Sequence, residues 1–302
     1  SVYGYDGPGQ IGEFLTHNIN SHHPVLHTYL LGVTIGKLKS PWWLGAAVYS
    51  FFQTLVLSFA LADVSAFIAK HSRSLLLSLG SFLTFALLPF YPIMAVTTTK
   101  NVIFTALFII LELQVIKIAW GKEYFNNWKN VVVFGVISFL SMAFLKQAMY
   151  VYVLTIIILC CLLKHGRRRL LFTAMITVGV FMLYSGPVLS SLKVTNSRDD
   201  AIKESLSIPE VQIARAVVRH PHDYQGEQLK EVKGFIPNYD NYRGPFEAIS
   251  DPVKTTFNTE AVRQEPWKFI KLYCAVGRKH PGEYVNAFSR LTVQLWYPGM
   301  NK

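Results

Sequence analysis

The sequence predicts an all-α polytopic membrane protein with a mostly helical extracytoplasmic domain. Three observations carry this. Between Trp42 and Ser190 the chain falls into long apolar runs separated by short polar loops. Every second loop is basic. From Leu192 onward the sequence turns polar and nearly charge-balanced, with 16 basic and 13 acidic residues.

A bilayer core requires about 20 mostly apolar helical residues. Six segments approach this: Trp42–Ala62, Leu75–Ala95, Val102–Ala119, Val131–Leu145, Met149–Leu163 and Leu170–Leu189. The fourth and fifth are short and need interfacial flanks such as Trp128 and Tyr150. Lys146 and Gln147 divide them, so they read as two spans.

The loops orient these spans. Lys70, Arg73, Lys117, Lys122, Lys129, Lys164, Arg167, Arg168 and Arg169 fall on one side, nine in all, whereas only Lys100 and Lys146 fall on the other. The positive-inside rule assigns the nine to the cytoplasm. Residues 1–41 and 191–302 are then extracytoplasmic, flanking a transmembrane domain over 42–190 in the cell membrane. The net charge of +11 is mostly these anchors, so no nucleic-acid partner is expected. Sidedness separates Cys160 and Cys161 from Cys274, which leaves no disulfide framework. The chain opens in an aqueous loop and closes at Trp296-Tyr297-Pro298-Gly299, and we expect a fragment lacking at least one preceding span.

Within the first outer loop, Pro24–Lys37 reads as a short helix with proline in its first turn. Its apolar residues Val25, Leu26, Tyr29, Leu30, Val33 and Ile35 suit a helix lying on the membrane surface. Pro89 and Pro92 should bend or unwind the outer end of the second span. In the outer domain a helix is expected from Ile208 to Arg219 with Ser207 as N-cap, a weaker one over Gln225–Val232, a loop over Pro237–Pro245, and good helices over Glu265–Arg278 and Pro281–Leu295.

Several residues could carry chemistry. Asp6 sits in Gly4-Tyr5-Asp6-Gly7-Pro8-Gly9-Gln10, a turn-forming setting that can aim a carboxylate or simply close an Asx-turn. His23 and His27 are four apart, on one face of a helix. That spacing can hold zinc, but the Glu of a His-Glu-x-x-His site and a nearby thiolate are missing. Contact with a lipid phosphate, or plain helix capping, are the other readings. Lys100 and Lys146 are lone cations at one membrane edge and could hold a lipid-linked phosphate or merely snorkel. Arg215 shares a helical face with Arg219 and could add to an anion site or face solvent. Glu112, the acid within a span, is a functional candidate because a carboxylate there is costly, or else an inward-facing structural pair with Gln114 and Lys117 nearby, the reading we favour.

The order of these features resembles a family: an acid in the first outer loop, His22-His23-Pro24-Val25-Leu26-His27-Thr28 on a short helix, paired spans, then an outer domain. It resembles the multi-spanning glycosyltransferases of the GT-C class, including the protein O-mannosyltransferase group. It is more closely similar to an uncharacterised bacterial membrane protein family allied to that class. The closer likeness extends over almost the whole chain, through Tyr5-Asp6-Gly7, Thr99-Lys100-Asn101, Leu145-Lys146-Gln147-Ala148-Met149-Tyr150, Ile208-Pro209 with Gln212-Ile213-Ala214-Arg215, Ser250-Asp251-Pro252-Val253-Lys254, and Pro281 with Tyr284.

The resemblance implies a GT-C-like fold. It implies transfer of a sugar from a polyprenyl-phosphate or polyprenyl-diphosphate carrier to an envelope glycan or lipid-linked acceptor at the outer membrane face. Asp6 would be the general base, and His23, His27, Lys100, Lys146 and Arg215 would contact substrate or lipid phosphate. No cofactor is expected, although a divalent metal is not excluded. Two departures stand out. Asp6 is followed by Gly7 where many members have a second acid, and Lys100-Asn101 stands where some have an acid. Two other functions fit the sequence: a polysaccharide or lipid transporter, and a non-catalytic membrane scaffold with an outer binding domain.

Overall fold

The computed structural model describes residues 6–38, 42–121, 123–163, 166–195, 198–243 and 248–296 of the chain. Lys122 and Lys164 of the basic loops, Tyr5 and Tyr297 lie outside the described residues. Among those described, regular secondary structure is helical throughout, with no strand. The chain divides into two compact units, Ser1–Asn196 and Ser197–Lys302.

The first unit holds α1 (Gly7–Leu15), α2 (Val25–Leu31), α3 (Trp42–Ser72), α4 (Leu75–Leu87), α5 (Phe90–Ala95), α6 (Lys100–Trp120), α7 (Trp128–Phe144), α8 (Ala148–Leu162), α9 (Arg167–Leu183) and α10 (Leu189–Ser191). Three helices are long and apolar enough to cross a membrane: Trp43–Ser72, Lys100–Trp120 and Arg167–Ser191, the last running through a π-helical turn at Tyr184–Val188. The helices over Leu75–Leu87, Trp128–Phe144 and Ala148–Leu162 are shorter. The outward surface is apolar: Phe51 and Phe59 of α3 are exposed, and no residue of α4 is buried. A helix that is apolar on its exposed face needs a non-aqueous neighbour.

Several local details differ from the sequence reading. The loop expected from Asp63 is instead about the last three turns of α3, which continues to Ser72. Asp63 there pairs with Lys117 of α6 at 3.2 Å. Lys117 is therefore not a partner of Glu112, which is exposed on α6. Glu112 lines a cavity of about 180 Å³ between α6, α7 and α8. The expected break near the prolines falls at Leu88, whose backbone is extended at ψ 119°. A residue before proline is pushed out of the helical region in this way.

The helix after Pro24 ends in a π-helical turn, Gly32–Gly36. Val25, His27, Thr28, Leu31, Thr34 and Ile35 are all buried, and Val33 faces outward. Two glycines permit this burial. Gly32 lies against the Phe14 ring, where any Cβ would overlap it. Gly45 of α3 lets the π turn approach until a Cβ there would sit 2.5 Å from the Thr34 carbonyl oxygen. The α2 segment is thus clamped between α1 and α3.

Hydrogen bonds gather the loops at two opposite ends of this unit. At one end Arg169 donates to the Phe125 carbonyl at 2.8 Å. At the other, Lys146 donates to the Ser21 carbonyl at 2.6 Å, and the Thr195 amide donates to Ile19 at 3.0 Å. The basic loops and the residue 6–30 segment occupy different ends.

The second unit holds α11 (Arg198–Arg219), α12 (Gly226–Phe235), α13 (Asp251–Lys254), α14 (Thr259–Gln264), α15 (Pro266–Lys279) and α16 (Pro281–Trp296). Its core includes Val211, Ile213, Val217, Phe235, Phe269 and Val276. The helix expected to open at Ile208 in fact begins at Arg198 and runs through Pro209. Proline removes one backbone donor and strains the preceding turn, at a cost of about 3 kcal/mol. Burial of Val211, Ile213, Ala214 and Val217 on the following turns opposes that cost. The expected loop after Pro237 contains a short 3-10 turn, Tyr239–Asn241, and residues 244–247 lie outside the described set.

Beside the proline, Glu210 is fully buried, and neither carboxylate oxygen has a hydrogen-bond partner among the described residues. Burial pushes its carboxyl up to about 8, against the opposing pull of Lys254 and Lys203. An acid whose folded pKa is raised binds its proton more tightly in the folded state. Its contribution to stability is therefore lost as pH rises from the ordinary 4.5 through about 8. Glu210→Gln should be more stable than the parent at pH 8 and should flatten this dependence. Chemical unfolding of the full chain in detergent micelles, followed between pH 5 and pH 8 for both proteins, measures it.

Candidate functional site

At the end of the first unit opposite the basic loops, α1 begins at Gly7 directly after Asp6. The Asp6 carbonyl accepts from the Gln10 amide at 3.1 Å, so Asp6 is the residue that starts the helix. Its side chain makes no capping bond and points elsewhere. The Asp6-Gly7-Pro8 stretch of the sequence is thus the entry to a helix with proline in its first turn.

The carboxylate meets two other residues singled out in the sequence. Asp6 Oδ2 lies 3.8 Å from His23 Nδ1 and 3.9 Å from Lys100 Nζ. These distances are ion-pair contacts longer than hydrogen bonds, and the Asp6 side chain is 43 % exposed. The carboxylate is therefore held by charge yet open to a hydroxyl. Gly7 makes the approach possible, because a Cβ there would lie 2.9 Å from Thr98 Oγ1. Lys100 opens α6, so its cation stands beside that helix's positive end.

Lys146 is placed nearby through the chain. It sits between α7 and α8, and its ammonium bonds the Ser21 carbonyl, two residues before His23. Glu13, the nearest second acid in sequence, is used internally. Its Oε1 accepts from Asn20 Nδ2 at 2.6 Å and closes the loop between α1 and α2. Asp6, His23 and Lys100 converge, and Lys146 tethers the loop that carries His23. Arg215 belongs to the second unit, where its Nε donates to Glu283 Oε2 at 2.6 Å.

His27 has a different place. It is fully buried, with one ring nitrogen 2.6 Å from the Gln10 side-chain amide and the other 2.9 Å from the Tyr49 hydroxyl. Both nitrogens are used inside the fold, so His23 and His27 do not form a pair of metal ligands despite their spacing. The lipid-phosphate contact expected of His27 is corrected to an internal one. The physical reason is that α2 turns this face toward α1 and α3.

The protons of this cluster can be followed. Gln53 Nε2 donates to the backbone carbonyls of Ala95 at 3.0 Å and Thr97 at 2.7 Å. Gln53 Oε1 then accepts from the Tyr49 hydroxyl at 2.8 Å. The Tyr49 oxygen is left to accept from His27 Nε2–H. Burial, with Lys100 and His23 adding repulsion, depresses His27 to about 3, so the ring is neutral and accepts at Nδ1. Gln10 Oε1 stands at that nitrogen, and a half-turn of the near-isosteric amide presents the NH2 end that the bond requires. Four buried side chains thus link α1, α2 and α3 to the loop just before Lys100.

The sequence reading did not single out Gln10, Tyr49 or Gln53. A signal was present: Tyr49 and Gln53 are polar residues at i and i+4 within an apolar run, which puts them on one helical face.

Removing the middle of this relay should loosen the site. Tyr49→Phe leaves a donor on His27 and an acceptor on Gln53 unsatisfied, at a cost of about 1–3 kcal/mol. Thermal unfolding in detergent micelles should show it. A histidine whose folded pKa is depressed is protonated first in the unfolded chain. Stability should therefore be intact above the ordinary 6.5 and be lost as pH falls toward about 3. In His27→Gln that acid-side loss should shrink.

A protein family described as being of unknown function, DUF6020, matches residues 13–292. The matched span contains His23, His27, Lys100, Lys146 and Arg215, and Asp6 precedes it. No curated protein and no solved structure matches the chain.

Proposed function

We propose a function for this chain, which belongs to the DUF6020 family, from the convergence of Asp6, His23 and Lys100 at one end of the helical unit. The reading is a multi-pass membrane glycosyltransferase of GT-C type. It moves a sugar from a polyprenyl-phosphate carrier to an envelope glycan or lipid-linked acceptor. The single observation that carries it is a half-exposed carboxylate held between the Lys100 ammonium and the His23 imidazole at the end away from the basic loops.

The chemistry follows from those groups. An acceptor hydroxyl must lose its proton as its oxygen attacks the anomeric carbon, and an accessible carboxylate does this. The leaving lipid phosphate gains negative charge, and Lys100 beside the start of α6, with His23 when protonated, stabilises it. Lys146 holds the His23 loop in place and adds a second positive charge. Arg215, committed to Glu283, is given no part in this step, and His27 acts as a positioning residue through Gln10 and Tyr49. The positive-inside rule supports an extracytoplasmic location for this end and for the second unit. The apolar surface supports a bilayer partner, and the chemistry calls for no cofactor.

A transporter is the second reading. Its specific support is Glu112, an acid exposed on α6 at the wall of an intramembrane cavity. Acids at such depth are expensive and mark transport paths in many membrane proteins.

Envelope glycans from cells carrying the parent chain, Asp6→Asn or Glu112→Gln, at equal membrane abundance, separate the two. Under the transferase reading Asp6→Asn loses one defined sugar at least ~100-fold, typical of removing a general base, and the lipid-linked donor accumulates. Unchanged glycans in Asp6→Asn, together with lost export in Glu112→Gln, would overturn it in favour of transport.

A further inference from the structure

One sequence pattern in the second unit is left unused by the function above, and it occurs twice. The copies are His220-Pro221-His222-Asp223 and His280-Pro281-Gly282-Glu283. In each, the histidine amide closes a helix: His220 bonds the Ala216 carbonyl at 3.1 Å, and His280 the Val276 carbonyl at 3.0 Å. In each, the acid's amide then bonds back to the histidine carbonyl, at 3.0 Å for Asp223 and 3.1 Å for Glu283. The backbone therefore fixes an imidazole and a carboxylate on each turn.

The two turns face one another and exchange their acids. His280 Nε2 lies 2.9 Å from Asp223 Oδ2, and His220 Nε2 lies 3.4 Å from Glu283 Oε1. The rings stack with centroids 3.8 Å apart and planes within 5°. One ligand atom each from His220, Asp223 and His280 falls within 4.8 Å of the others.

We propose that these two turns form a binding site for one divalent transition-metal ion of the zinc type, with His220, His280 and Asp223 as ligands. Two imidazoles and a carboxylate are a donor set for zinc, cobalt or nickel. They are a poor one for calcium or magnesium, which take mainly oxygen ligands. Ligand atoms about 2.0–2.1 Å from a tetrahedral ion stand roughly 3.4 Å apart. The donors are close to that spacing and need a shift on the order of 1 Å, with the parallel rings tilting so that one ion lies in both planes. The geometry leaves room for this, because the His220 side chain is 37 % exposed and that of Asp223 46 %.

The surroundings set the roles. Glu283 Oε2 is held by Arg215, which leaves Oε1 to hydrogen-bond the His220 side and orient it. Exposure of Asp223 leaves a fourth position to water. Lys279, which bonds the Asp223 carbonyl and lies over the Tyr224 ring, adds a positive charge nearby, so the affinity is moderate rather than extreme. The site stands in the second unit and rests on no part of the Asp6 reading.

The test uses the full chain in detergent micelles, freed of metal by a chelator and desalted. Cobalt(II) is titrated and its visible d–d absorption followed, and zinc is then added in competition. The expected result is one cobalt per chain, displaced by zinc. Binding should be lost in the His220→Ala/His280→Ala double variant and unchanged in His71→Ala. Asp223→Asn is nearly isosteric at an exposed position and keeps the fold, checked by circular dichroism, so it guards against misfolding of the histidine variants. It should weaken binding at least ~10-fold, and Glu283→Gln by ~10- to 100-fold as an orienting partner. Absence of saturable binding in the parent chain would overturn the site, leaving two metal-free histidine–carboxylate clasps. So would binding that persists in the double variant or is unaffected by Asp223→Asn.

Discussion

The first unit depends on one constraint: the polar groups buried where α1, α2 and α3 meet must all find partners. Unpaired groups at such depth cost several times what a paired one contributes. Gln10, His27, Tyr49 and Gln53 solve this together, and the last of them takes up carbonyls of the loop before Lys100. That solution fixes the register of α1 and α2 against α3 and α6. It also determines where Asp6 and Lys100 stand, because each lies at the first residue or N-cap of a helix the relay holds. The exposed carboxylate and the buried relay are two faces of one arrangement.

A second regularity is how charge is distributed in the first unit. At the end with the basic loops, ion pairs and backbone caps are structural, as with Lys117 and Asp63 or Arg169 and Phe125. At the other end the charges are fewer and less completely paired, with Asp6 meeting its partners at 3.8 and 3.9 Å. Loosely held charge at a helix start suits recognition of an anion better than it suits stability. In the second unit Arg215 and Glu283 are in contact at 2.6 Å, and there the pairing is structural.

Much of this was legible in the sequence. Apolar runs and helix punctuation placed most helices, and Pro89 marked the break between α4 and α5, because its constraint on the preceding residue is local. The convergence of Asp6, His23 and Lys100 was legible only as a set of candidates, with no sign that they touch. The fate of His27 was not legible. Its i, i+4 spacing from His23 is compatible with a shared ligand or with opposite roles, and only Tyr49 on a distant helix decides between them. The helix through Pro209 was misread because proline is a local stop signal, whereas the burial that overrides it is contributed by residues as distant as Phe269 and Val276.

The sequence by itself determined the all-helical character, the apolar runs, read there as six spans where three helices are long and apolar enough to cross a bilayer, the alternation of basic and bare loops, and the types of residue available for chemistry. These follow from composition and periodicity over neighbouring residues, which each segment carries alone. The tertiary structure decided which of those residues meet. It turned His27 inward and left Asp6 half exposed, gave Arg215 to Glu283, and brought His220 and His280 face to face across some sixty residues of chain. Pairings at that separation depend on which helices pack. Close approach at Gly32 and Gly45, and the satisfaction of buried donors and acceptors, fix that packing only when the whole chain is in place.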